Sequence, residues 1–557
     1  MIKKTPLGIH DFKEMITENY YYIDKTLLVQ ELLRGGSKVT LIPRPRRFGK
    51  TVNLSMLKYF FEKTSESHAS LFDTLKISHD TESMGRQGNY PVISITLKDV
   101  KGPDWEKTQS LLRSIIAVEY KRNMYLLEDT ILDTLEKKEF LDIAEKRASE
   151  SVLKESLKNL TKYLARYHKK RPIVLIDEYD TPIHAGYYHN YYKEIIGFMS
   201  GFLGACLKDN ENLEFSVMTG ILRVAKESIF SGLNNLETCT FLNDAYGDKF
   251  GLVQDEVDLI LNYYGLDAQK EEVRVWYNGY QSGQYRVYNP WSIIQYIKNH
   301  GKLQPYWINT SNNDIIINLV NQADATIKAD FEQLLLGESV TKHINENVVF
   351  ATLLTAADSV WSMLLFSGYL TFNNDRLIEQ TRYVDVRIPN AEIMYFFKNI
   401  VVNWFKLGAR HKDYTDMINA LMQGDVEQFK ISFEDLVENS LSFFDVDKKE
   451  PERIYHAIIL GMLVGLSQTH ELKSNRESGY GRYDIMLIPK DPQRAGIILE
   501  FKKVDHRRGE TLATAAQGAL GQINVKKYEQ ELINRGINRI IKIGIAFAGK
   551  DVMLASE

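Results

Sequence analysis

The sequence predicts an α/β protein in three parts: a domain with a parallel sheet over 1–240, a mostly helical or winged region over 241–449, and a smaller α/β domain over 450–557. Three observations carry this expectation. At about 150 residues per domain, a chain of 557 residues is too long for one hydrophobic core. Short β-rich runs alternate with segments of helical period through the first 240 residues, the pattern of parallel strands joined by crossover helices. Beyond about residue 450, an apolar helical run is followed by strand, strand, helix and strand.

Each element has its own signal. The four runs of the first part are KVTLI (38–42), PVISITL (91–97), PIVLI (172–176) and LEFSVMT (213–219). Between them apolar residues recur at helical spacing, as at Leu111, Leu112, Ile115 and Ile116. The middle part is marked by aromatic clusters, WYNGY (276–280), YNPWSI (288–293) and YW (306–307), which packing explains as readily as base stacking or partner contact. The last part reads as a helix over 455–466, strands at 483–488, 496–501 and 539–548, and a helix near 512–534. No repeat, Pro-rich linker or low-complexity tract separates the three.

Composition excludes several classes. With 44% hydrophobic and 25% charged residues the chain is neither disordered nor fibrous. A net charge of −4 leaves room for a nucleic-acid surface only as a local patch, and residues 467–557 do carry 15 Lys or Arg against 11 Asp or Glu. Two cysteines, Cys206 and Cys239, cannot form a disulfide framework or a four-cysteine zinc site. There is no leader-like apolar segment at the start and no run of 18 apolar residues, so no membrane partner and a cytoplasmic location are expected.

Directly after the first strand comes Arg44-Pro45-Arg46-Arg47-Phe48-Gly49-Lys50-Thr51, followed by a helical pattern with Leu54, Leu57, Phe60 and Phe61 apolar. FGKT matches the end of a phosphate loop. Such a loop offers the backbone N–H groups of Arg46, Arg47, Phe48 and Gly49 to a triphosphate, reaches the β- and γ-phosphates with Lys50 and ligates Mg²⁺ with Thr51. Arg44 stands where the first glycine of the usual pattern belongs, and a simple basic turn is the competing reading. PIVLIDEYD (172–180) ends a buried strand in adjacent acids, placing Asp177 to hold the Mg²⁺ shell and Glu178 to polarise water. Arg223, after the fourth strand and before SGLNN (231–235), is a candidate cationic sensor of the γ-phosphate.

The second constellation is Asp484 on one strand and Glu500-Phe501-Lys502 closing the next. Residues 500 and 502 share a strand face, and a hairpin brings Asp484 beside Glu500. Two carboxylates suit Mg²⁺ or Mn²⁺ at a phosphodiester, with Lys502 orienting water or offsetting charge. Glu-x-Lys by itself also occurs as an ordinary cross-strand salt bridge.

The segments YYIDKT (21–26), PRPRRFGKT (43–51), LIDEYDTPI (175–183), TGILRVAKESIFSGLNNL (219–236), WYNGY and YNPWSI together resemble the bacterial AAA-ATPase-like family whose members carry a C-terminal PD-(D/E)XK nuclease-like domain. In that family an arginine-bearing PRRFGK loop stands in place of the glycine-rich one. The resemblance implies a P-loop NTPase domain, a helical middle and a restriction-endonuclease-like domain. It further implies roles for Glu477 and Arg482 ahead of Asp484, and for Gln522 and Tyr528 in GQINVKKY, with Gln522 orienting substrate or water and Lys526 and Lys527 near phosphate. Tyr22, Asp24 and Lys25 would line the nucleotide base pocket, and His456 matches a family position without being placed in the catalytic set.

The expectation is an ATP-binding protein, an ATPase, coupled to a metal-dependent nuclease. Its cofactors are ATP and Mg²⁺ or Mn²⁺, its partner is nucleic acid with DNA ahead of RNA, and a homo-oligomer is compatible with this ATPase type. The rivals are a nucleotide-controlled switch whose nuclease fold binds nucleic acid or a protein without cutting, and a motor that remodels nucleic acid.

Overall fold

The computed structural model describes residues 2–223, 235–308, 325–335, 337–346, 357–408, 411–440, 463, 466, 469–478, 481–505, 509–548 and 551–557. The chain divides into two compact units, Met1–Ser311 with Thr341–Glu392, and Asn312–Val340 with Ile393–Glu557.

The first unit is built on a five-stranded sheet of β1 (Val39–Pro43), β2 (Val92–Thr96), β3 (Ile173–Asp177), β4 (Ser216–Gly220) and β5 (Leu236–Thr238), in the order β2-β3-β4-β1-β5. All paired neighbours run parallel. β1, β3 and β4 are buried at every position, which is why they read as continuous apolar runs rather than alternating ones. One strand, β4, lies between the strand that leads into the loop and the strand that ends in acids. The helix Lys50–Phe61 packs its Leu54, Met56, Leu57, Phe60 and Phe61 into the core with Ile42, Ile173, Leu175 and Val217.

The rest of this unit is helical around Leu252, Val257, Ile260, Tyr277, Tyr288, Ile293 and Tyr296, so the aromatic clusters are core. It also contains a hairpin, β6 (Tyr280–Ser282) with β7 (Tyr285–Val287). A small sheet follows, of β8 (Val340–His343), β9 (Thr371–Ile378) and β10 (Thr381–Arg387). The mostly helical expectation passed over both.

The second unit is organised by a mixed sheet in the order β11-β12-β13-β14-β15, from His470–Ser478, Gly481–Pro489, Gly496–Lys503, Ile540–Ala548 and Asp551–Ser556. Only β13 and β14 pair in parallel. Its two faces are separately covered. Ile485, Leu487, Ile497, Leu499, Phe501, Ile541, Ile543 and Ile545 join Met417, Leu421, Phe429 and Phe433 of the helices His411–Gln423 and Val426–Ser440. Met486, Ile488, Ile498 and Ala546 join Ala515, Ala516, Leu520 and Ile523 of the helix Leu512–Lys526. The period-2 alternation thus fixes which residues of β12 and β13 face that last helix. Of the helix expected over 455–466 only Leu463 and Leu466 are described, both in the core of this unit, and the rest of it, with His456, and the segment 231–234 lie outside the described residues.

Candidate functional site

Two constellations form, one in each unit. In the first, β1 ends at Pro43 and the chain turns through 44–48 to Gly49, which caps the helix Lys50–Phe61 at φ +85°. Glycine is required there by conformation, since nothing lies within 4 Å of where a Cβ would stand. The Lys50 ammonium donates to the carbonyl oxygens of Arg44 (3.0 Å) and Pro45 (2.9 Å), so the loop wraps its own lysine. Burial pushes the Lys50 pKa down, and Glu178, Asp177 and Asp180 oppose that shift. Two of its three N–H groups are used by these carbonyls.

Asp177, at the end of β3, accepts hydrogen bonds from the Thr51 hydroxyl (2.7 Å) and the Thr219 hydroxyl (2.7 Å). Carboxylate and Thr51 hydroxyl are thus close enough to share one hard cation, with water filling its remaining positions. Glu178 follows in the left-handed region at φ +51°, a conformation costing about 1 kcal/mol for a residue with a side chain. Its carboxylate accepts from Thr181 Oγ1 at 3.2 Å. Asp180 is buried, and although burial opposes its ionisation, His184 and the N–H groups of Leu222 and Ile221 hold its pKa below the usual carboxylate value.

The loop arginines divide. Arg44 turns inward, fully buried, and donates to the carbonyls of Pro43 (2.9 Å), Cys239 (2.6 Å) and Tyr246 (3.4 Å). Arg46 and Arg47 are exposed, and Arg47 stands at φ +65° with its guanidinium 3.6 Å from the centre of the Trp291 ring. Phe48 is buried edge-on against Phe241 and Tyr280, so its side chain anchors the loop and only its backbone is left for a ligand. Arg223 is half-buried three residues beyond β4, and among the described residues no hydrogen bond or ion pair joins it to Lys50, Thr51 or Asp177.

The base-pocket expectation for Asp24 and Lys25 does not fit their surroundings. Lys25 donates to both Glu256 oxygens (2.7 and 2.6 Å) and to the Asp248 carbonyl, while Asp24 takes the N–H groups of Thr26 and Lys76. Both are engaged as fasteners, because a buried lysine needs its acid.

In the second unit, β12 and β13 pair antiparallel with Ile485 opposite Leu499, which brings Asp484 opposite Glu500. The Asp484 N–H donates to Glu500 Oε2 (3.2 Å) and the Phe501 N–H to Asp484 Oδ2 (2.8 Å). Glu500 is buried, on the face covered by the helix Leu512–Lys526, and from that helix Gln522 donates its amide to Glu500 Oε1 and to the Tyr528 hydroxyl at 3.3 Å. Burial raises the Tyr528 pKa, with Gln522 opposing and Glu500 and Asp484 adding to the rise. Lys502 donates to Glu510 at 2.7 Å. Glu477 pairs in register with Arg482 across β11 and β12.

Asp484, Glu500 and Gln522 are therefore brought together, with Lys502 two residues along the strand from Glu500 but bonded to Glu510, and Lys50, Thr51, Asp177 and Glu178 form the other group. Among the described residues no group of three or more His, Cys, Asp or Glu forms a ready-made metal cage. The donor set still fits a hard cation, because Asp177 with the Thr51 hydroxyl, and Asp484 opposite Glu500, offer the oxygen donors such a cation takes. Thr219, Asp180 and Glu510 were not anticipated. Thr219 had a signal, a hydroxyl at the end of a buried strand, whereas Glu510 lies in a turn with no pattern.

Residues 6–230 match the family described as "Predicted AAA-ATPase", and residues 450–557 match the "PD-(D/E)XK nuclease superfamily". A protein of Azotobacter chroococcum mcd 1 described as "Uncharacterized protein in vnfD 5'region" is 27% identical over 400 residues, covering 70% of this chain and 68% of its own. The chain thus joins an AAA-ATPase-like region at its N-terminal end to a PD-(D/E)XK nuclease-like region at its C-terminal end.

Proposed function

We propose that this protein binds and hydrolyses ATP on the loop 44–51 and cuts nucleic acid, DNA in preference to RNA, at Asp484, Glu500 and Lys502. The observation that carries the nuclease half is the register setting Asp484 against Glu500, with Gln522 on the same buried carboxylate. Burying such a carboxylate costs several kcal/mol unless its charge is met, and the Asp484 N–H and the Gln522 amide that help to meet it also fix its direction beside Asp484.

In this reading Lys50 contacts the β- and γ-phosphates, Thr51 and Asp177 hold Mg²⁺, and Glu178 takes the proton of the attacking water. Arg223 offsets charge on the γ-phosphate, in its own subunit or in a neighbour of a homo-oligomer. In the second site Asp484 and Glu500 hold Mg²⁺ or Mn²⁺, which when bound acidifies a water and polarises the phosphodiester. Gln522 fixes the orientation of Glu500, and Lys502 stabilises the charge that develops on phosphate.

The test is cleavage of single-stranded DNA, duplex DNA and RNA by the full chain with Mg²⁺ or Mn²⁺, with and without ATP, beside Lys502→Ala and Lys50→Ala. Lys502→Ala is expected to lose at least about a hundredfold in rate, the scale of one electrostatic stabiliser. ATP dependence is expected to vanish in Lys50→Ala. Cleavage that survives in Lys502→Ala sinks the site assignment, and ATP binding with no cleavage of any substrate favours the switch.

A further inference from the structure

The phosphate loop is completed by residues outside the matched segment 6–230. Trp291, in the first turn of the helix Pro290–Lys298, lies face-on to the Arg47 guanidinium at 3.6 Å. Trp307 donates its indole N–H to the Arg46 carbonyl at 3.1 Å. One buried acid ties the two tryptophan segments together: Glu392 accepts from the Ser292 hydroxyl (2.8 Å) and from the Trp307 backbone N–H (2.5 Å).

Stacking uses the face of a guanidinium and leaves its edge. All five N–H groups of Arg47 lie in that plane, and among the described residues none is committed to a protein acceptor. Arg47 also holds a left-handed backbone that an arginine leaves readily, so its direction is not fixed by the loop alone. An indole on one face restrains both the backbone and the side chain while keeping the forked edge available, the arrangement suited to a phosphate oxygen pair. The neighbouring Lys50 is already inside the loop, so a second cation at its rim would meet the outer phosphates of a polyphosphate.

We propose that Trp291 is a positioning residue which presents Arg47 to the polyphosphate of a bound nucleoside triphosphate. The inference rests on the ATP reading. The consequence is that Trp291 and Arg47 act as one unit: removing either forfeits the same interaction, and removing both forfeits it once.

The experiment measures equilibrium binding of Mg²⁺-ATP to the full chain, wild type, Arg47→Met, Trp291→Leu, Trp291→Phe and the Arg47→Met/Trp291→Leu double variant, at two salt concentrations. Arg47→Met and Trp291→Leu are each expected to weaken ATP about tenfold and to flatten the salt dependence equally, while the double variant is no weaker than either. Trp291→Phe, which keeps a stacking face, is expected to stay within about threefold of wild type. A role of Trp291 in packing alone would make the losses multiply and leave the salt dependence of Trp291→Leu like that of wild type, and either result overturns the inference. Arg47 is exposed, so its variant separates loss of binding from loss of folding. ATP binding abolished by Lys50→Ala yet unchanged in Trp291→Leu overturns this inference alone, whereas binding indifferent to Lys50→Ala overturns the ATP reading with it.

Discussion

Arg44 occupies the position where a glycine-rich loop would begin, and its backbone does not need glycine: the left-handed residues of the loop are Arg47 and Gly49. Freed of that demand, the side chain goes inward over the rings of Phe241 and Phe250, and burial pushes its pKa down to about 10, still protonated at neutral pH. The departure was visible in the sequence but its direction was not, because the Cys239 and Tyr246 carbonyls lie 195 and 202 residues away. Glu392 makes the residue scale testable. Burial pushes its carboxyl up to about 7, against the hydrogen bonds from Trp307 and Ser292. A raised acid favours the folded state while protonated there, so its contribution is full below about pH 4.5 and is lost as pH rises to about 7, on the order of 3 kcal/mol in all. Urea unfolding followed by tryptophan emission from pH 5 to 8 should show that loss in the wild type and a flatter profile in Glu392→Gln. Identical profiles in the two proteins would refute the assignment.

Two glycines expose how the helix Leu512–Lys526 serves the nuclease-type site. At Gly544 a Cβ would stand 2.4 Å from the Ala516 carbonyl and 2.4 Å from the Leu520 N, both backbone, so the helix lies directly on β14 and cannot yield. At Gly518 a Cβ would meet the Lys502 side chain, nearest at its ammonium, 2.9 Å away, the far end of a flexible chain. Gly544→Ala should therefore lower the stability of this unit by about 3 kcal/mol or more. Gly518→Ala should gain up to about 1 kcal/mol of helix propensity while displacing Lys502 from Glu510 and slowing cleavage. Thermal melts beside cleavage rates separate the two outcomes; a Gly518→Ala protein that cuts at the wild-type rate removes Lys502 geometry from the mechanism. At this scale the apolar strands were legible, since β1 to β4, the edge strand β2 included, and β12 to β14 fall within a few residues of their apolar runs. In the two five-stranded sheets the strands passed over, β5, β11 and β15, all end their sheets. An edge strand is buried on fewer sides and carries polar residues, as in HELKSNRES of β11, so its apolar signal fades. β9 and β10 were hidden for a related reason: they are held in part by Arg376–Asp385 and Arg382–Asp375 pairs, and charge pairing leaves no hydrophobic period.

For the whole molecule, the informative fact is that the chain passes between its two units more than once: 312–340 belongs with 393–557, and 341–392 returns to the first unit. No Pro- or Gly-rich linker marks these crossings, which is why reading along the sequence suggested three consecutive parts. A chain ended at residue 311 would lack Glu392 and the strands β9 and β10, so the proposed nucleotide site needs residues from beyond that point. Each unit nevertheless has its own hydrophobic core, and separate cores generally unfold as separate steps. Calorimetry should accordingly resolve two transitions. A ligand that binds only folded protein stabilises it by about 2.7 kcal/mol at a hundred times its dissociation constant, and that gain appears in the step that destroys its site. Mg²⁺-ATP should raise one transition, and Lys50→Ala should abolish that rise. Mn²⁺ without nucleotide should raise the other, and Asp484→Asn should abolish it while leaving the ATP response intact. If instead one transition is seen and ATP moves all of it, the two cores unfold as one. The nucleotide would then stabilise the nuclease-like unit directly, the energetic form that gating of cleavage by ATP must take.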